Sequence, residues 1–173
     1  EKVRVIDSKC AVGGIRLLVQ EINKYRDESL DFIEKKVNVL IPRIKIIAIP
    51  ETLDYLHKGG RCSTVAMLGA NMLKLRPCIE VKEGKMDVGK KFRGKMSDVL
   101  IEYAKSRLGD LDSIDPHRCF VTHTMELGDE KARAVYDYVE SLGYFDEIIE
   151  TTAGCTVTCH CGPGTLGVLF VKK

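Results

Sequence analysis

The chain has 173 residues, 45% of them hydrophobic, with 27 lysines and arginines against 25 acidic residues for a formal charge of +2. Enough chain is present for one full core, and basic residues scattered rather than blocked argue against a nucleic-acid partner. No apolar run approaches the roughly 20 residues that span a bilayer, and EKVRVIDSK is not a signal-peptide start, so a soluble cytoplasmic protein without stable membrane insertion is expected.

In chain order, VRVID predicts a short strand and CAVGGIRLLVQEINKY a helix with Ile15, Leu18 and Ile22 on one face. DESLDFIEKKVNVLI predicts a second helix, with Leu30, Ile33, Val37 and Leu40 in phase. Pro42 stops it, and IKIIAI reads as a strand buried on both faces. ETLDYLHKGGR predicts a short helix closed by Gly59 and Gly60, one of them left-handed. STVAMLGANMLKL predicts another helix, which Ser63 and Thr64 would cap. RPCIEVKEGKMDVGKKFR reads as a hairpin turning at Glu83 and Gly84, and KMSDVLIEYAKSRL as a helix with Val99, Tyr103 and Leu108 inward. After the loop GDLDSIDP come the strand RCFVTH, a helix with Ala132, Val135, Val139 and Leu142 in phase, and the strands DEIIETT and TLGVLFV.

Strand and helix alternate first and a hairpin follows between helices, so the class is α/β with a boundary near residue 50. Residues 1–49 read as the remainder of an N-terminal, partial Rossmann-like α/β layer. Residues 50–173 read as a C-terminal α+β domain with a mixed sheet. The first part is too small to close a core alone, and VRVID gives the impression of a beginning in mid-domain.

Chemistry concentrates in GCTVTCHCGPGTLGVLF. Gly162, Gly164 and Gly167 satisfy G-x-G-x-x-G, but only six residues follow and no helix is there to face a phosphate. Cys155, Cys159, His160 and Cys161 are zinc-compatible types, to which Cys119 and His123 can be added. In an extended VTCHC, however, Cys159 and Cys161 share one face and His160 points to the other. Seven scattered cysteines, an odd number, otherwise read as reduced thiols. His160 beside the Gly162–Gly164 turn has backbone amides next to it, which suits an oxyanion. Arg61, after two glycines, and Arg93, in KKFRGK, are further candidates, each weighed against an ordinary surface ion pair.

Taken in register, VRVIDS, LDYLHKGGR, LGANMLKLRPCIEV, KKFRGK, CFVTH and CHCGPGTLGVLF resemble the DegV family of bacterial fatty-acid-binding proteins, over essentially the whole chain. The resemblance implies a two-domain fold that holds a long-chain fatty acid at the domain junction without catalysing a reaction. No cofactor or metal is expected. It implies a fatty acid kinase as partner, to which the bound acid is presented for phospholipid synthesis. By motif, His160, Arg93 and Arg61 would surround the carboxylate or face the kinase, and Gly162 and Gly164 would let the backbone approach. The family's serine-rich N-terminal segment, of the S-G-L-S-G kind, has no counterpart here, so that segment of the same protein is an expected partner. The thiols of CHC keep open an alternative zinc- or thiol-based site on Cys155, Cys159, Cys161 and Cys119. An enzyme using His160 as nucleophile or base is a third reading, since the family's fold resembles that of dihydroxyacetone kinases.

Overall fold

The computed structural model describes residues 3–61, 75–125 and 127–173, so the helix expected over STVAMLGANMLKL, with Ser63 and Thr64, lies outside the described residues. In chain order the elements are α1 (Gly13–Lys24), α2 (Leu30–Leu40), β1 (Ile44–Ile49), α3 (Asp54–Lys58), β2 (Leu75–Lys82), β3 (Lys85–Arg93), α4 (Met96–Arg107), β4 (Ile114–His123), α5 (Asp129–Ser141), β5 (Glu147–Thr152), α6 (Cys155–Cys161) and β6 (Leu166–Lys172).

The six strands form one mixed sheet in the order β3-β2-β1-β6-β4-β5. Only β4 and β5 run parallel. Strand β1, which precedes the boundary expected near residue 50, is flanked by β2 and β6 from beyond it.

Because side chains alternate across a strand, the sheet has two apolar faces. Ile47, Ile49, Val121, Val168 and Phe170 meet α4 and α5 through Val99, Leu100, Tyr103, Ala132, Val135 and Val139. These helices keep the phase their spacing predicts, because each covers the sheet along its length. Tyr103 goes further and inserts its hydroxyl between two strands, donating to Ile47 O at 2.5 Å and accepting from Val168 N at 3.0 Å. Ile47 and Val168 are register partners, so the phenol bridges the β1–β6 ladder.

On the other face, Phe120, Leu169 and Val171 pack under α1 and α2 through Leu17, Leu18 and Val37. The α1 stripe is rotated from the expected one: Leu17 and Leu18 are buried and Ile15 is exposed. The cause is the close approach of the helix start to the sheet. A Cβ on Gly14 would lie 2.3 Å from Ile46 Cδ1, so Gly13 and Gly14 set which face turns inward.

VRVID forms no strand, and Val3 and Val5 are exposed. Alternation makes a strand only when a neighbour supplies the ladder, and no described segment does so here. Arg4 instead ties this segment to α2, with Asp31 at 2.7 Å and Glu34 at 3.1 Å. The second correction concerns VTCHC, expected to be extended: it belongs to the helix α6, whose Val157 and Cys161, one turn apart, face the same cavity. The strand argument that set Cys159 and Cys161 opposite His160 therefore falls.

Candidate functional site

The strand register brings Ile49, Leu166, His123 and Thr152 to one end of the sheet. Near that end, on the face shared with α1, lies a cavity enclosing about 670 Å³ of empty space, part of it open to solvent. Its floor is the sheet, where Ala48 and Gly167 are register partners. Two of the smallest side chains side by side leave a hollow between the bulkier Ile46, Leu169 and Ile79. Leu56 of α3 and Val157 and Cys161 of α6 form one wall, and Ala11 and Val12 approach from the start of α1.

Polar groups gather at one side of this cavity, and each has a partner. Thr124 Oγ1 donates to Gly162 O at 2.9 Å and accepts from Thr165 N at 3.0 Å. The Thr122 and Thr151 hydroxyls lie 2.8 Å apart. His123 Nε2 is 3.2 Å from Glu150 Oε1.

Helix α6 carries the predicted site residue His160, and the turn that closes α3 carries Arg61. A Cβ built on Gly59 would stand 3.0 Å from His160 Nδ1 and 3.7 Å from Arg61 Cδ, and the Arg61 guanidinium donates to Gly59 O at 2.6 Å. Gly60 takes the expected left-handed conformation, φ 67°, between them in sequence. His160 and Arg61 thus both approach Gly59 of the GG turn, the first half-buried and the second exposed. An imidazole and a guanidinium there can receive an anion. Arg93 stands at the same end of the sheet, opposite Leu75, and is exposed.

The glycine turn is occupied differently from expectation. The amides proposed for an oxyanion are used within the protein: Gly162 N donates to Thr158 O at 2.8 Å and Gly164 N to Met125 O at 3.4 Å. Both glycines are left-handed, φ 85° and 72°. A Cβ on Gly162 would lie 2.7 Å from Tyr55 Cδ2, and one on Gly164 2.3 Å from Glu51 Oε2. What the backbone approaches is the 51–55 segment leading into α3.

The thiols divide. Cys155 and Cys159 are exposed one turn apart on α6, and burial pushes the half-buried Cys161 thiol above its ordinary pKa. Cys119 lies on the opposite face under α4 and α5, where burial pushes its thiol up to about 12. Among the described residues no three His, Cys, Asp or Glu side chains are placed to hold a metal ion.

Sequence reasoning missed Arg76, whose guanidinium donates to Glu51 O and so holds the segment that packs on Gly164. It also missed the cavity floor. Small residues in IKIIAI and TLGVLF were visible, but their alignment across two distant strands was not.

A family described as "Uncharacterised protein, DegV family" matches residues 1–173. A DegV domain-containing protein of Clostridium acetobutylicum is 32% identical over 177 aligned residues, covering 100% of this chain and 61% of the relative. A DegV family protein from Thermus thermophilus, whose structure is described by its fatty acid binding, superposes with a TM-score of 0.85 at 21% identity, covering 98% of this chain and 61% of that one. The Streptococcus pneumoniae Fatty Acid Kinase (Fak) B3 protein, solved loaded with linoleic acid, superposes with a TM-score of 0.82 at 20% identity, over 99% and 60%. At such identities the structural likeness carries the fold, a mixed α/β sheet of this kind. The chain spans about three fifths of the length of these relatives. No described helix is long and apolar enough to cross a membrane.

Proposed function

Since the chain belongs to the DegV family, we propose that it supplies one wall of a long-chain fatty acid site in a non-catalytic cytoplasmic carrier. The observation that carries this is the apolar cavity over Ala48 and Gly167, walled by the two helices that bring His160 and Arg61 together at Gly59. An acyl chain needs an apolar sleeve and a cationic or hydrogen-bonding end for its carboxylate. Leu56 of α3 and Cys161 of α6 line the first part, and His160, which precedes Cys161, and Arg61, which follows α3, stand outside that lining and supply the second in this reading.

In this reading the acyl tail lies against Ile46, Ala48 and Gly167, and the carboxylate turns toward His160 and Arg61. Gly162 and Gly164 act indirectly, by letting the turn that follows His160 seat against Tyr55 and Glu51. Arg93, exposed at the same end of the sheet, faces a partner rather than the acid. That partner is a fatty acid kinase, a reading supported by the name of the Streptococcus pneumoniae neighbour. We place the domain division near residue 50, with residues 1–49 belonging to an N-terminal α/β domain. Val3, Val5 and Ile15 expose apolar surface there, and a serine-rich N-terminal segment of the same protein would cover it and close the carboxylate site.

Denaturing mass spectrometry of the full-length protein tests the binding: release of a long-chain fatty acid is expected, and consistently empty preparations would refute it. His160→Ala and Arg93→Ala should lower kinase-dependent phosphorylation of the bound acid by tenfold or more while leaving the thermal midpoint within a few degrees. Wild-type turnover in both variants would remove these residues from the site.

A further inference from the structure

A second pocket lies over the opposite end of the sheet, enclosing about 840 Å³ of empty space, part of it open to solvent. Its character is set by charge. Lys45 of β1, Lys82 of β2, Lys172 of β6 and Arg107 at the end of α4 all line it. Lys45, Lys82 and Lys172 project from three adjacent strands onto the face that α4 covers, just past the point where that helix ends.

Among the described residues one carboxylate lies within ion-pair distance of these four cations, with Asp87 and Glu83 acting on Lys82 and Lys45 from farther off. Glu80 lies 2.8 Å from Lys82 Nζ and 3.7 Å from Arg107 Nη1, while Glu83, the other acid lining the pocket, is taken by Lys9 at 2.6 Å. Lys45 Nζ has a carbonyl, Pro42 O at 2.9 Å, and no carboxylate. Arg107 Nε is buried with no hydrogen-bond partner. Buried donors are ordinarily satisfied, and like charges crowded on one face of a sheet oppose folding. A cluster that keeps an excess of positive charge and an unused buried donor is a site that lacks its counter-ion.

We propose that this pocket binds a phosphate-type oxyanion, held by Lys45, Lys172 and Arg107. The excess of charge suits a dianion better than the single charge of a carboxylate, and donors converging from two strands and a helix suit a tetrahedral group with several oxygens. Desolvation, with Lys172, Arg107 and Lys82 next, lowers the Lys45 pKa, against Glu80, which raises it. An anion seated there restores the fully charged ammonium. The source is either a free phosphate or the phosphate of a lipid headgroup.

The test titrates the 173-residue chain with inorganic phosphate and pyrophosphate against a chloride-matched control, and separately with vesicles of phosphatidic acid in phosphatidylcholine. Saturable binding is expected, weakened at least tenfold by the double variant Lys45→Gln/Lys172→Gln. Without anion, that variant should melt no lower than wild type, because it removes repulsion. Glu80→Gln should act oppositely and tighten binding several-fold by removing the internal competitor. Binding to vesicles alone assigns the site to a headgroup, and binding to free phosphate alone assigns it to a soluble ligand. Absence of both, or binding untouched by the double variant, or weakened by Glu80→Gln, overturns the proposal.

Discussion

Replacing Gly162 by alanine separates two reasons for a glycine beside His160. Its backbone, φ 85° and ψ 161°, lies in a region that is essentially glycine's alone, and forcing another residue there costs about 1–3 kcal/mol. The added methyl would also stand 2.7 Å from Tyr55 Cδ2, and overpacking of that kind costs about 1–3 kcal/mol. Together they predict a loss of about 2–6 kcal/mol in the lipid-free protein. With a urea slope of roughly 2 kcal/mol/M, the midpoint falls by on the order of 1–3 M. Tyr55→Ala vacates the clashing position, so in a double-mutant cycle the pair should be less destabilised than the sum of the singles by about 1–2 kcal/mol. The assay is urea unfolding of wild type, both singles and the double, all stripped of lipid. If Gly162→Ala unfolds within 0.5 kcal/mol of wild type and the cycle is additive, the glycine serves a ligand rather than Tyr55, and the reasoning fails.

Tyr103→Phe should cost about 2–4 kcal/mol in thermal or urea unfolding, since it strands Ile47 O and Val168 N in the core. Burial raises the Tyr103 pKa from 10.0. The unfolded phenol then ionises first, so wild type should lose stability as pH rises past 10, and Tyr103→Phe should lose less over that range. Ala48→Phe puts a ring into the cavity floor and should cut co-purified fatty acid at least tenfold by mass spectrometry, with an unchanged circular dichroism spectrum. Iodoacetamide at pH 8, followed by peptide mapping, should label the exposed Cys155 and Cys159 at least tenfold faster than Cys161 and Cys119, and bound lipid should slow Cys161 further.

The helices α4 and α5 and the β2–β3 hairpin were legible because their patterns are local: a stripe at helical spacing over a sheet, and a Glu83-Gly84 turn between alternating runs. Segments whose state is decided at a distance were not. VRVID has a strand's alternation, yet Val3 and Val5 have no described neighbour to pair with. TVTCHC is rich in residues that favour strands, and the tertiary setting overrides that preference: Val157 and Cys161 reach the cavity together only on a helix. At the candidate site, His160 and Arg61 were found from glycines beside them in sequence. That Gly162 and Gly164 pack against Tyr55 and Glu51 was not legible, because those two residues sit more than a hundred positions earlier in the chain.

The pairing of β1 with β6 at the middle of the sheet has a consequence for how the molecule comes into being. Ile44–Ile49 and Leu166–Lys172 are joined only after nearly the whole intervening chain has been made. By the logarithmic loop-closure law, bringing them together costs on the order of 4 kcal/mol of chain entropy before any contact offsets it. A nascent chain on the ribosome can therefore hold the β2–β3 hairpin and α4 while β1 still lacks one neighbour and Tyr103 one of its partners. The hollow at Ala48 and Gly167 arises only when Leu166–Lys172 joins β1, so it cannot exist before translation has passed residue 172.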